Sequence, residues 1–443
     1  MHVLILASHP FRGLRGRQQQ MAAGLAAAGH RVLYVEPFLS DEGKPAGGRR
    51  AKAGAPAEAG SPGFAVRAEG ERIHVLGPEA APESGPGPRT GSASGPELVP
   101  TAPASRSELQ SWARQVRSLI EELTQGDLFR SPASPGPSAG TQVREGAAGA
   151  KALGSEAVPD IAIVYSPVLL EAASGALPAP IVFDCEEDFP ATASSRSVAD
   201  AYEQALNRGL PLVDGLVAVN RYLIESWGLL LRPEVPRAVI EHGADLKLFR
   251  PPDEKSRKSA RKALGLSADA KVAAYVGRLD ARVSYEDLSF MFDQESALKL
   301  LVLGEVNDEG QAMLERLPQE RVIVRGPLPQ EQAAELIAAA DLILLPLRRE
   351  PHLEPLRGLT LYEYLATGLP VVGTFRRGTK AFRELLYLYA TQEELAAALL
   401  SALAEGVDAP VRGERIAKAR GADWATRVHA MEEFLGQVIR RRG

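Results

Sequence analysis

Glu354–Val372, EPLRGLTLYEYLATGLPVV, is the stretch whose reading decides the fold. Leu361, Tyr362, Leu365 and Ala366 recur at helical spacing, which predicts a helix with one apolar stripe. Gly368 ends that helix, Pro370 forbids its resumption, and Val371 and Val372 open a buried strand. Thr360 stands at the N-cap position with Glu363 three residues on, the spacing of a capping box. A helix entered in this way presents free backbone N–H groups and the positive end of its dipole, which suits a phosphate. Glu363, one turn inside, is placed to accept hydrogen bonds from a ribose. A capped amphipathic helix in any α/β domain accounts for the same residues, so the stretch alone leaves both readings open.

Working outward, VAAYVG, LKLLVLG, RVIVRGP and LILLPL before it and VVG at its end are five candidate parallel strands. Their Val/Leu density and glycine endings predict a sheet covered on both faces. Arg278, in YVGRL, stands just past a strand end, where a guanidinium pairs bidentately with a diphosphate. Gly326-Pro327 reads as a turn. In the loop PLRREPHLEPLRG (346–358), His352 and Glu354 suit sugar hydroxyls, and Arg348, Arg349 and Arg357 suit phosphate charge. A solvated charged loop explains those residues equally well. The final segment, ADWATRVHAMEEFLGQVIRRR, places Trp424, Val428, Met431, Phe434, Leu435 and Val438 on one helical face.

The first half repeats the alternation. HVLILAS (2–8) predicts a buried strand, the helix runs from Arg17 to about Ala28, and VLYVEP supplies the next strand. The loop between, with Gly13, Gly16, Arg12 and Arg15, lies where open α/β sheets bind ligands, but its glycine spacing is not a dinucleotide fingerprint. Residues from about 40 to 105 are dense in Gly, Ala, Pro and Ser, and only FAVRAEGERIHVLGP (64–78) predicts order, as a hairpin or a strand with its lead-in. Residues 106–125 predict a helix with Leu109, Trp112, Val116, Leu119, Ile120 and Leu123 on one stripe, and about 131–157 is a second flexible tract. DIAIVYS and IVFDCEEDFP are further strands, the latter ending in Asp184, Glu186, Glu187 and Asp188. Four carboxylates at a strand end suit sugar hydroxyls, a divalent cation or plain solvation. LPLVDGLVAVN and AVIEHGADLKLF continue the pattern, and 250–269 reads as an interdomain connection.

At 443 residues the chain has the length of two domains, and its 45% hydrophobic content implies real cores. A net charge of -5 and a pI of 5.9 give no basic footprint, which excludes nucleic acid as an expected partner. The single cysteine, Cys185, rules out an intrachain disulfide and fits a reducing cytosol. HVLILAS lacks a basic leader, so a cytoplasmic chain is expected, with Arg440, Arg441 and Arg442 available for peripheral contact with the inner face of a membrane.

The run LYEYLATGLPVV closely resembles the segment of group 1 (family 4-like) retaining glycosyltransferases that lies over the nucleotide-sugar diphosphate. It is most similar to the teichuronic-acid-biosynthesis-type branch, where the line reads K-L-Y-E-Y-L-A-x-G-K-P-V-V. Thr360 and Leu369 stand where that line has lysines. The family's second glutamate, seven residues before Glu363, would fall on Pro355, one residue from Glu354. RGPLPQEQAAELIAAADLILLPL (325–347) resembles another family line, and the carboxylates around Asp184 a third. AVIEHGADLKLF resembles the I-P-N-G-V-D line, with His242 in place of the asparagine.

The resemblance implies a GT-B fold of two facing Rossmann-like parallel-sheet domains. Residues 1–248 would form the acceptor-side domain, with the insertions at about 40–105 and 131–157, and 249–415 the nucleotide-sugar domain. The 416–443 helix would pack back on the first domain. It implies a glycosyltransferase acting with retention on a nucleotide-diphosphate sugar, in cell-surface polysaccharide or glycoconjugate synthesis. The acceptor would be a glycan, a lipid-linked sugar or a small molecule. No tightly bound cofactor or metal is expected. Donor contacts would come from Arg278, Gly326, Leu328, Thr360, Leu361 and Glu363, with Gly13 and Arg15 from the first loop. The catalytic candidates are Glu354, His352 and Asp184. A nucleotide-sugar 2-epimerase and a non-catalytic glycan-binding or scaffold protein of the same fold remain the alternatives.

Overall fold

The structure, a computed structural model, describes residues 1–9, 16–37, 64–69, 72–78, 105–125, 159–193, 195–349, 361–376 and 379–442. The insertions outside the 64–78 hairpin lie beyond these residues, as do Gly13, Arg15, His352, Glu354, Arg357 and Thr360. The chain divides into two compact units. One comprises Met1–Gly13, Gln18–Ile240 and Met431–Gly443, the other Leu14–Arg17 and Glu241–Ala430.

The first unit is built on β1 (His2–Leu6), β2 (Arg31–Val35), β3 (Phe64–Ala68), β4 (Ile73–Pro78), β5 (Ile161–Val164), β6 (Ile181–Cys185), β7 (Gly215–Ala218) and β8 (Arg237–Val239). Their order in the sheet is β3-β4-β2-β1-β5-β6-β7-β8, and only the β3/β4 hairpin is antiparallel. The all-apolar runs IAIV and GLVA are buried along their whole length, as a parallel strand covered on both faces requires. The helix Arg106–Gln125 buries five of the six stripe residues expected, Leu109, Trp112, Val116, Leu119 and Ile120, in this core, and the side chain of the sixth, Leu123, lies outside the described residues. The six apolar residues expected on one face of the last helix, Trp424–Arg442, are all buried.

The second unit contains β9 (Lys271–Val276), β10 (Leu298–Leu303), β11 (Val322–Arg325), β12 (Leu342–Leu345), β13 (Val371–Thr374) and β14 (Tyr387–Tyr389). All are parallel, in the order β11-β10-β9-β12-β13-β14. The five strands expected are present, and β14 extends the sheet by a sixth. The segment LYEYLAT forms the helix Leu361–Thr367, but all seven residues are buried rather than one stripe. It is an interior helix, packed against the helix Pro410–Arg420 as well as the sheet. Gly368 ends it with a φ of 70°, a left-handed conformation that glycine adopts without a Cβ penalty. Among the described residues no helix is long and apolar enough to cross a membrane.

Candidate active site

In the second unit the carboxyl ends of β9, β10 and β11 share one device. Each strand stops at a glycine, Gly277, Gly304 and Gly326, with φ of 134°, 148° and 152°. The N–H of Gly277 donates to Leu303 and that of Gly304 to Arg325, both at 2.9 Å, so the ladder runs one step past the strands. A Cβ on Gly304 would lie 2.2 Å from the Gly277 carbonyl oxygen, and one on Gly326 would lie 2.1 Å from that of Gly304. Only glycine permits this backbone-on-backbone stacking. The result is a shelf of three glycines at the sheet edge where open α/β sheets take their ligands.

The helix Leu361–Thr367 is fixed beside that edge by three consecutive side chains. Tyr362 donates its hydroxyl to Glu241 Oε2 at 2.8 Å. Gln330 Nε2 donates to Glu363 Oε1 at 3.0 Å. Tyr364 donates to the carbonyl of Val276, at the end of β9, also at 2.8 Å. Burial raises the Tyr364 phenol well above its ordinary value, and burial with the Glu241 carboxylate raises that of Tyr362, so both remain donors. Glu363 is 3% exposed, and Gln330 begins the helix Gln330–Ile337 two residues after Leu328. The Gly326–Leu328 turn and Glu363, expected at the donor, are thus brought together, with Leu361 buried at the helix start. Leu328 itself packs partly buried against the core.

Arg278 leaves the sheet edge immediately after Gly277. Its Nε and Nη2 both donate to Glu305 Oε2, at 3.0 and 2.7 Å, and Glu305 follows Gly304. Arg282, four residues on, is clamped by Asp280 through bonds of 2.6 to 3.0 Å. Arg349 faces the buried Asp287 at 3.6 Å and lies over the Tyr389 ring, while Arg376 reaches the Arg348 carbonyl. Glu305 and Gln330 escaped the sequence reading. The one follows a glycine in LVLGE, and the other lies in PLPQEQ, where no local pattern marks it.

In the first unit, Asp184 is the penultimate residue of β6 and is fully buried. Glu187 accepts from Thr192 Oγ1 at 2.8 Å, and Asp188 from the Tyr222 hydroxyl at 3.2 Å. Two of the four carboxylates therefore hold the turn after β6 in place. Beyond β1, His9 Nδ1 lies 3.0 Å from Ser8 Oγ and 3.2 Å from Gln18 Nε2, and the His9 carbonyl accepts from Tyr34 at 2.8 Å. Burial, then Glu186 and then Glu36, push the Tyr34 phenol upward. The edge of this sheet is thus lined by hydroxyl, amide and carboxylate groups suited to a polyhydroxylated ligand.

Residues 270–405, which include every described donor-site candidate, match the family model described as "Glycosyl transferases group 1". D-inositol 3-phosphate glycosyltransferase of Corynebacterium urealyticum is 32% identical over 158 residues, which cover 32% of this chain and 36% of that protein. The chain thus spans about a third of the length of the curated relatives it matches, 36% in that case. Over the whole chain, sucrose-phosphate synthase of Thermosynechococcus elongatus superposes with a TM-score of 0.69 at 17% identity, covering 100% of both chains. Anabaena HepE in complex with UDP-glucose gives 0.61 at 15% identity, covering 99% of this chain and 100% of that one. Two Rossmann-like parallel-sheet domains of the GT-B class are therefore the fold, and within it residues 270–405 resemble the group 1 glycosyl transferases.

Proposed function

We propose that the chain transfers a glycosyl group from a nucleotide-diphosphate sugar to a hydroxyl acceptor. The observation that carries the reading is the convergence, inside the family-matched segment, of the glycine shelf, Arg278 and the Gln330–Glu363 pair at one sheet edge. Glu363 would accept from the ribose hydroxyls, and Arg278 would stabilise the diphosphate as negative charge builds on the leaving group. The shelf would admit the base against bare backbone. The bond from the anomeric carbon to the phosphate oxygen breaks and the nucleoside diphosphate keeps the electron pair. The acceptor oxygen bonds the same carbon and its proton passes to the departing phosphate. Transfer with retention follows the family resemblance, with His352, Glu354 and the residues near Asp184 and His9 serving sugar and acceptor.

UDP complexes of Anabaena HepE support a uridine donor, and the relatives named as glycosyltransferase or synthase favour transfer over 2-epimerisation or a non-catalytic role. Their names specify inositol phosphate and sugar phosphates, which supports a phosphorylated small-molecule acceptor beside the glycan and lipid-linked ones of cell-surface synthesis. A cytoplasmic location with peripheral membrane contact through Arg440–Arg442 belongs to the same reading. Incubation with a panel of nucleotide sugars and acceptors, read by mass spectrometry and proton NMR, tests it. The expected result is nucleoside diphosphate release matched by a glycoside of retained configuration. A 2-epimeric nucleotide sugar without acceptor, or binding without turnover across the panel, overturns it.

A further inference from the structure

The chain leaves the first unit at Ile240 and enters the second at Glu241, where the second unit gathers a polar cluster. Arg17 Nη1 donates to the Glu241 carbonyl at 3.1 Å, and Arg427 Nε to the His242 carbonyl at 3.3 Å. Arg427 Nη2 lies 3.4 Å from Glu241 Oε2, the oxygen that also accepts from Tyr362. The backbone beyond is pinned. Ala244 N–H donates to the Ala422 carbonyl at 2.7 Å, and a Cβ on Gly243 would fall 2.4 Å from the Trp424 ring. Tyr362 is 7% exposed, with its ring edge-on to Phe382 at 5.5 Å, so its hydroxyl is held in one direction.

Because Tyr362 and Glu363 are neighbours on one short buried helix, the helix that carries the proposed donor carboxylate is anchored directly to Glu241, where the long segment of the second unit begins. We propose that Glu241 is a positioning residue for glycosyl transfer: through the Tyr362 hydroxyl it sets the pose of the Leu361–Thr367 helix and so of Glu363. The inference rests on the transfer reading above. Glu241 touches no donor group in this scheme. Losing its bond leaves the nucleotide contacts in place and loosens the geometry in which they serve the transition state.

Tyr362→Phe removes the hydroxyl alone, Glu241→Ala removes the acceptor, and Glu241→Gln keeps an acceptor oxygen. Steady-state kinetics with the productive nucleotide sugar should show kcat falling about tenfold in the first two, the scale of one charge-assisted hydrogen bond. UDP affinity should change less than about twofold, a factor worth less than one ordinary hydrogen bond, and Glu241→Gln should recover most of the rate. Hydrogen exchange of the unliganded protein should show the 361–367 amides opening faster in Tyr362→Phe. A merely structural bond would lower the melting temperature and the active fraction while kcat per active site stayed at the wild-type value, and that result overturns the proposal. A wild-type chain that binds no UDP sinks the transfer reading instead, and unchanged exchange in the 361–367 helix then sinks this one separately.

Discussion

Three consecutive side chains, Tyr362, Glu363 and Tyr364, reach three different parts of the second unit, and each position can be questioned by one substitution. For Glu363 the informative change is to Gln, which keeps the shape and the Gln330 contact but removes the charge. A carboxylate that accepts from ribose hydroxyls should lose about 1.5–3 kcal/mol of nucleotide affinity. A carboxylate that only caps its helix should cost about 1 kcal/mol of stability and leave affinity alone. Calorimetric titration with the nucleoside diphosphate beside thermal unfolding separates the two, and a lowered melting temperature at unchanged affinity removes Glu363 from the site. His242 carries a pH dependence of known sign. Burial, then Arg17 and Arg427, push its imidazole from 6.5 down to about 3. The unfolded chain therefore takes up the proton first, so stability is full above about 6.5 and declines as pH falls toward 3. Because the residue keeps partial exposure, the slope should stay below the one-proton limit of about 1.4 kcal/mol per pH unit. Denaturant unfolding of His242→Gln should be flatter over that window, and an identical pH profile would contradict the assignment.

At the scale of elements, legibility in the sequence tracked how locally each feature is determined. Strands such as IAIV and LILL declare themselves because a short, continuous apolar run bounded by turn residues suits a doubly covered sheet. The stripes of the 106–125 and 424–442 helices were equally plain, since one solvated face enforces the period. β14 escaped because Tyr387–Tyr389 is three residues long and paired on one side only, too short for any pattern. The 361–367 helix was found, but its burial on all sides depends on the helix Pro410–Arg420, some fifty residues away. There Arg415, 1% exposed, bonds the carbonyl of Gly368 and pairs with the buried Glu405 at 2.5 and 2.8 Å. Such long-range packing leaves no local signature. The glycine row is intermediate: YVG, LVLG and VRG each show a strand ending, but that one glycine's missing Cβ makes room for the next carbonyl emerges only from strand order. Glu305 and Glu241 show the same limit, each a solvated charge by sequence and a specific partner of Arg278 and Tyr362 by fold.

On the scale of the whole molecule, the two units have cores of their own. One runs from Leu4 to Val235, and the other is divided between the two faces of the second sheet. Separate cores of this kind unfold as separate cooperative blocks. The residues proposed to hold the donor, Arg278, Gly326 and Glu363, all belong to the second unit, and a ligand stabilises only the folded state that binds it. Scanning calorimetry should therefore resolve two transitions. Nucleoside diphosphate at one hundred times its Kd should stabilise the second unit by about 2.7 kcal/mol. The transition of the first unit should stay where it is until an acceptor is added. Tyr362→Phe and Glu363→Gln should act on the ligand-sensitive transition alone, because both residues lie in that unit. A single transition moved as a whole by the nucleotide would show that the units share one cooperative core. A shift confined to the other transition would place the donor in the first unit and overturn the assignment of Arg278 and Glu363 together.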